Sequence, residues 1–81
     1  MNSLQAMDEI STLLKNQDVV RAQERVLEIE AQGSTLPSSI FELVLKAAVT
    51  AQMITRPYAQ FCVNSYGRAE YVRMVLEIAP E

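Results

Sequence analysis

The sequence predicts an all-α protein: a small antiparallel bundle of about four helices, with a central buried helix and a long C-terminal helix. Apolar residues recur at spacings of three and four in four successive segments, which is the period of a helix with one buried face. No segment shows the alternation of apolar and polar residues that is typical of a strand. The length of 81 residues allows one domain, and we assign residues 1–81 to it.

The first two predicted helices are amphipathic. Ser3 can cap the first, which ends near Lys15, and after a polar break the second runs from about Val19 to Gln32. The charged and amide side chains of the second helix, Gln23 among them, are expected to face solvent. Gly33 stands where helices commonly end with a residue in the left-handed region. The residues expected to face inward are Leu4, Met7, Ile10 and Leu14 in the first helix, and Val19, Ala22, Val26 and Ile29 in the second.

The third predicted helix, Ser39 to Ile54, is central because it is apolar on most of its circumference. Ser39 and Glu42 have the spacing of a capping box, in which the two side chains bind backbone amides near the helix start. Glu42, Lys46 and Thr50 form one narrow polar strip, and the order of Glu42 and Lys46 favours a helical ion pair. With these charges the segment is too short to span a membrane, which takes about 20 apolar residues. Its expected inward stripe is Ile40, Leu43, Ala47, Ala51 and Ile54, flanked by Phe41, Val44, Leu45, Ala48 and Val49.

The fourth predicted helix is continuous from Pro57 to Ala79, and Pro80 ends it. One apolar stripe keeps its four-three spacing through Gly67 without a change of phase, so we expect the helix to pass through this glycine. An interior glycine costs roughly 1 kcal/mol relative to alanine, and a close helix crossing at Gly67 would compensate for it. The stripe consists of Tyr58, Cys62, Ser65, Ala69, Val72, Leu76 and Ala79.

The composition argues against catalysis and against bound metal or cofactor. The chain has no histidine, one cysteine and two glycines, so it lacks a Cys–His pair, a zinc ligand set and a glycine-rich phosphate loop. Cys62 lies on the inward stripe and is expected to be a buried, unreactive thiol. A single unpaired cysteine and the lack of a signal-peptide pattern favour a cytoplasmic protein. We therefore expect a non-enzymatic protein with no cofactor and no metal.

The last segment has more apolar surface than its main stripe explains, and this excess predicts an interaction site. Tyrosine, methionine and arginine are enriched in protein interfaces, and Gly67 would permit a close backbone approach. The alternative is that these residues complete a small core. We expect the segment to contact another protein or a second copy in a homodimer, as in a small regulator, adaptor, inhibitor or chaperone subunit. The predicted interaction residues are Tyr66, Gly67, Arg68, Tyr71, Met74, Val75 and Ile78.

Two other functions remain open. A nucleic-acid-associated transcriptional regulator could use Arg56, Arg68 and Arg73, and Gly67 could stand in the turn of a helix-turn-helix motif. A net charge of −3 opposes this, because affinity for nucleic acid comes from lysine and arginine displacing counterions. The other alternative is a structural subunit that is stable only within a larger assembly.

The stretch from Val20 to Ala47 resembles one helical hairpin of tetratricopeptide or pentatricopeptide repeat proteins. The resemblance rests on Ala22, Ile29, Gly33 and Pro37, which fall near the small, apolar, turn and proline positions of such a repeat. Repeat proteins of this kind need about three copies to bury a continuous core, and the last part of the chain shows no second copy. We therefore assign no family from the sequence.

Overall fold

The computed structural model describes residues 3–78 as five α-helices joined by short connections, so the all-α class is confirmed. Over this range there is no strand, and no helix has both the length and the apolarity needed to cross a membrane. The expected helix end at Ala79 and Pro80 lies outside the described residues. The helices are α1 Ser3–Lys15, α2 Val19–Ala31, α3 Ser38–Thr50, α4 Arg56–Tyr66 and α5 Arg68–Ile78.

The core lies around α2 and α3, against which the other helices pack. α1 packs on both of them, α4 on α2, and α5 on α3 and α4. Tyr58 of α4 is fully buried, and its hydroxyl donates a hydrogen bond of 2.8 Å to the Phe41 carbonyl of α3. The main buried apolar side chains are Ala6, Ile10, Ala22, Val26, Ile29, Leu36, Ile40, Phe41, Val44, Leu45, Val49, Tyr58 and Cys62.

The predicted continuous C-terminal helix is wrong, because the chain breaks at Gly67 into α4 and α5. Gly67 has φ 89° and ψ 155°, a backbone conformation that is nearly restricted to glycine. A straight helix from Pro57 to Ala79 would be about 34 Å long and would carry its second half away from the core. The break instead returns α5 against α3 and α4. The bundle therefore has five helices where the sequence predicted four.

The break also changes which face of α5 is buried. Val72 and Leu76, which the sequence placed inward, are 43% and 55% exposed. The face that packs on the core has helical spacing of its own and consists of Tyr71, Met74, Val75 and Ile78. The apolar stripe that continues through Gly67 in the sequence is therefore not the stripe that packs on the core in the folded chain.

The inward face of α1 differs from the prediction at its first turn. Leu4, predicted to face inward, is 72% exposed, and Ala6, which was not predicted to do so, is buried. Ile10 is buried as predicted, and Met7 and Leu14 are partly buried. Ala6 and Ile10 are four residues apart and lie on one side of the helix, so the buried face is turned towards Ala6.

The start of α3 differs from the predicted capping box. The helix begins at Ser38 after Pro37, and no side chain caps it, because starting one residue earlier moves Ser39 into the first turn. Glu42 and Lys46 form no ion pair with each other in the described structure, so both charges remain available to other groups. α3 ends at Thr50, and its expected stripe divides: Ile40 is buried, whereas Leu43 and Ala51 are exposed.

Three helices end with the same backbone motif. After α2, Gly33 N donates to Glu30 O and Ser34 N to Ile29 O, the paired bonds of a Schellman motif, with Gly33 at φ 87° as predicted. The ends of α1 and α3 form the same pair of bonds, but the left-handed residues there are Gln17 and Gln52, at φ 61° and 57°. Glutamine pays a conformational cost at this position that glycine does not.

Gln23 was predicted to face solvent and is instead fully buried. Its amide nitrogen donates to Val19 O and Met53 O at 3.0 Å each, and its amide oxygen accepts from Thr55 N at 2.8 Å. Thr55 then caps α4 by accepting from Tyr58 N. Gln23 thus fixes the connection between α3 and α4, which explains why a polar side chain stands on the inward side of α2.

Candidate functional site

An open groove of about 510 Å³ lies where the end of α1, the start of α2 and the outer face of α3 meet. Its larger apolar side chains are Leu14, Val19, Leu43 and Met53, and the smaller residues between them are Ala47, Thr50 and Ala51. Gln17 and Lys46 add its polar groups, and among the described lining residues Lys46 alone carries a charge. We call this surface the apolar groove.

Hydrogen bonds fix the conformation of the backbone around the apolar groove. The left-handed residue Gln17 is placed by the bond from its backbone N to Leu14 O, and the next bond runs from Asp18 N to Leu13 O. On the other side, Met53 is held through its carbonyl by the buried Gln23. Leu43 and Met53 are each 47% exposed. The groove therefore presents large apolar side chains from a backbone whose conformation is fixed by hydrogen bonds.

A second exposed apolar feature is a line of side chains on α5. Ala69, Val72 and Leu76 are exposed and follow one another at spacings of three and four, so they form one line along the helix. We call this line the outer ridge. It is the part of the predicted C-terminal stripe that the break at Gly67 turned towards solvent.

A charged groove of about 280 Å³ lies between α3 and α5 and is lined by Glu42, Lys46, Glu70, Arg73, Met74, Glu77 and Ile78. We call it the acidic groove, because its three carboxylates outnumber its two cations. Arg73 forms ion pairs with both Glu70 and Glu77. Hydrogen bonding to Arg73 holds the pKa of Glu70 below its usual value.

The predicted interaction residues divide into two groups. Tyr66, Tyr71, Met74, Val75 and Ile78 are partly buried against the core, which is the alternative that the sequence held open for them. Tyr66 donates a hydrogen bond of 3.2 Å to the Ser38 carbonyl, and burial raises its pKa and that of Tyr71. Gly67 and Arg68 are exposed. The seven residues therefore do not form one free surface.

The larger exposed apolar surface was missed in the sequence. Leu43, Ala47 and Ala51 were recognised as one helical stripe, but the stripe was expected to face the core. Only the neighbouring apolar run of α3 is covered by α2 and α5. The signal that could have separated the two faces is size: the buried face carries phenylalanine, isoleucine, leucine and valine, whereas the exposed stripe is mostly alanine.

The cysteine and one tyrosine of the chain are buried in the core. Cys62 is fully buried, as the sequence predicted, and burial raises the pKa of its thiol to about 11, so it stays protonated at neutral pH. Burial also raises the pKa of Tyr58. Within residues 3–78, no three His, Cys, Asp or Glu side chains are grouped so that they could hold a metal ion.

Comparisons of the chain with models of protein families, with curated proteins and with solved structures find no match.

Proposed function

We propose that this protein is a non-enzymatic interaction protein, a small cytoplasmic regulator, adaptor, inhibitor or chaperone subunit that presents apolar helical surfaces to another protein or to a second copy of itself. The observation that carries the proposal is the apolar groove. Leu43 and Met53 are large, half-exposed and held on hydrogen-bonded backbone, which is the form of a site that receives a helix. Contiguous exposed apolar surface rimmed by polar groups is typical of interaction sites.

The position of the predicted binding surface changes in this proposal. The sequence directed attention to the C-terminal segment, but its Tyr71, Met74, Val75 and Ile78 are already used by the core. The apolar groove and the outer ridge are the surfaces that remain available. Among the residues that the structure describes, four of the five large apolar side chains with the greatest exposure belong to them: Leu43, Met53, Val72 and Leu76.

A nucleic-acid-binding function has less support. Arg73 is paired with Glu70 and Glu77, so its charge is already compensated, and both glutamates would approach the phosphates of a bound duplex. Arg56 and Arg68 are exposed but stand on a chain with a net charge of −3. The turn at Gly67 is a single residue between α4 and α5, shorter than the three or four residues usual in a helix-turn-helix motif.

Site-specific photo-crosslinking in the source cells tests the proposal. A photoreactive phenylalanine analogue replaces Met53 at the rim of the groove. The matched control places the same analogue at Gln60, which is exposed on α4 away from both grooves. We expect discrete crosslinked proteins, or a crosslinked second copy, from position 53 and none of these from position 60.

A second variant separates specific binding from chance contact. Leu43→Glu introduces a charge into the groove at a position that is half exposed, so the fold should tolerate it. The crosslinks from position 53 should disappear in this background. Crosslinks that persist in the variant, or an identical pattern from both positions, would contradict the proposal.

A further inference from the structure

We infer that the occupant of the apolar groove is the outer ridge of a second copy of this chain, in a two-fold dimer in which each copy supplies one groove and one ridge. The inference rests on the proposed function, because it names the partner of a surface which that function requires. Three features of the surface support it: shape, charge, and the order in which the features occur.

The two apolar surfaces have complementary shapes. Helices pack when a row of side chains on one enters the groove between rows on the other. On the outer ridge, Val72 and Leu76 are four residues apart and form such a row. In the apolar groove, Ala47 and Ala51 lie one turn apart between larger side chains, and their small size allows a second helix to approach closely.

The charges beside these surfaces are also complementary. The apolar groove has Lys46 at its edge as the one charge among its described lining residues. The outer ridge is bordered by the cluster of Glu70, Arg73 and Glu77, which carries a net charge of −1. A ridge placed in the groove of the other copy would set this cluster opposite Lys46, so the contact joins opposite charges.

The order of the features across the face fits a two-fold axis. Lys46 lines both grooves and therefore lies between them. Arg73 lines the acidic groove and lies three residues before Leu76 of the outer ridge. The face thus presents in order the apolar groove, Lys46 with Glu42 on the same helix, the acidic cluster and the outer ridge. When a second copy is rotated by 180°, the groove of each copy faces the ridge of the other, and Lys46 of each copy faces the acidic cluster of the other. Each contact therefore occurs twice, as an isologous interface requires.

The reciprocal arrangement doubles the apolar area of the contact. One ridge of two half-exposed aliphatic side chains and an alanine buries far less than the about 800 Å² per partner of a stable complex. Two groove–ridge contacts around the charged centre engage both surfaces of each copy. They would cover Leu43, Met53, Val72 and Leu76 together.

Sedimentation equilibrium of the purified chain, from about 5 to about 500 µM, provides the test, because this range spans the dissociation constants of weak to moderate dimers. We expect the mass to rise from that of the 9.1 kDa chain to twice that value and to stop there. Leu76→Glu on the ridge and Leu43→Glu in the groove should each weaken dimerisation at least about tenfold. Leu4→Glu is the matched control, since Leu4 is 72% exposed and lies on neither surface, and it should dimerise like the wild type.

A charge exchange tests whether Lys46 of one copy faces the acidic cluster of the other. Lys46→Glu should weaken the dimer about tenfold, and so should Glu77→Lys. Within one copy Lys46 and Glu77 line the same groove, so the two single variants are mixed in equal amounts rather than combined in one chain. The mixed dimer has opposite charges at both contacts across the two-fold axis but not within either copy, so its dissociation constant should return to within about threefold of the wild type. A mixture that dimerises no better than the single variants would overturn the inference.

Two further results would overturn it, and both are distinguishable from failure of the proposed function. A monomer at every concentration excludes the second copy, and a mass that rises beyond the dimer excludes the two-fold arrangement. In either case, crosslinks from position 53 to a different protein would leave the proposed function standing. Absence of those crosslinks as well would remove both.

Discussion

At the scale of single residues, Gln23 shows how one polar side chain determines the path of the backbone. It is fully buried, yet its amide nitrogen and oxygen satisfy the Met53 carbonyl and the Thr55 amide of the connection between α3 and α4. A buried amide is tolerated when its hydrogen bonds are complete and is costly when they are not. The groove depends on this contact, because Met53 forms part of its wall.

We predict that Gln23→Leu destabilises the protein by about 2–4 kcal/mol, although the two side chains have similar volume, because Met53 O and Thr55 N lose their partners. Urea denaturation followed by circular dichroism measures the change as a lower midpoint. Gln60→Leu is the matched control: this residue is exposed, so its substitution should change the free energy of unfolding by less than about 0.5 kcal/mol. Equal effects of the two substitutions would refute the role assigned to Gln23.

At the scale of the helices, the ends of the elements decide how they pack. α1, α2 and α3 end with the same pair of backbone bonds, but glycine occupies the left-handed position only after α2. The break between α4 and α5 is made by Gly67 in a conformation that other residues avoid. Because α5 reaches α3 only through this break, the burial of Tyr71 and Met74 depends on one backbone angle.

We predict changes of opposite sign at two of these ends. Gly67→Ala should lower the free energy of unfolding by about 1–3 kcal/mol, although no atom within 4 Å obstructs an added methyl group, because φ 89° is unfavourable for alanine. Gln52→Gly should raise it by about 0.5–1 kcal/mol, because φ 57° favours glycine. Midpoints of urea denaturation at constant slope provide both values. A neutral Gly67→Ala would mean that α4 and α5 fold without the break.

At the scale of the whole molecule, the free energy of unfolding is expected to be small. A domain of 81 residues is expected to have a free energy of unfolding of about 4–12 kcal/mol. Its core is one cluster to which all five helices contribute, with α5 supplying only partly buried side chains. Loss of packing at one position of this cluster therefore affects every helix, whereas loss at the surface does not.

We predict that Leu45→Ala costs about 2–5 kcal/mol, because the side chain is fully buried in α3 and its removal leaves a cavity. The same change at Leu4, which is 72% exposed, should cost less than about 0.5 kcal/mol. Thermal unfolding monitored by circular dichroism compares the two variants at one protein concentration, since a dimer makes the midpoint depend on concentration. Similar losses for both variants would contradict the assigned core.

By itself the sequence determined the helical class, the extent of the first two helices, the end of α2 at Gly33 and the burial of Cys62. These features depend on the spacing of nearby residues and on the conformational preferences of single residues. Both can be read directly from the sequence. The start of the fourth helix was predicted to within one residue: Pro57 lies in its first turn, where a missing N–H costs nothing, although the helix begins at Arg56.

Only the tertiary structure decided which stripe of each helix faces the core. α5 carries two apolar lines at helical spacing, one through Val72 and Leu76 and one through Tyr71 and Met74, and α3 similarly carries Leu43 beside Val44. Periodicity shows that such residues share a face, but not which neighbouring helix covers it. That choice follows from the conformation of Gly67 and from contacts between residues distant in the chain, and it leaves the apolar groove and the outer ridge exposed.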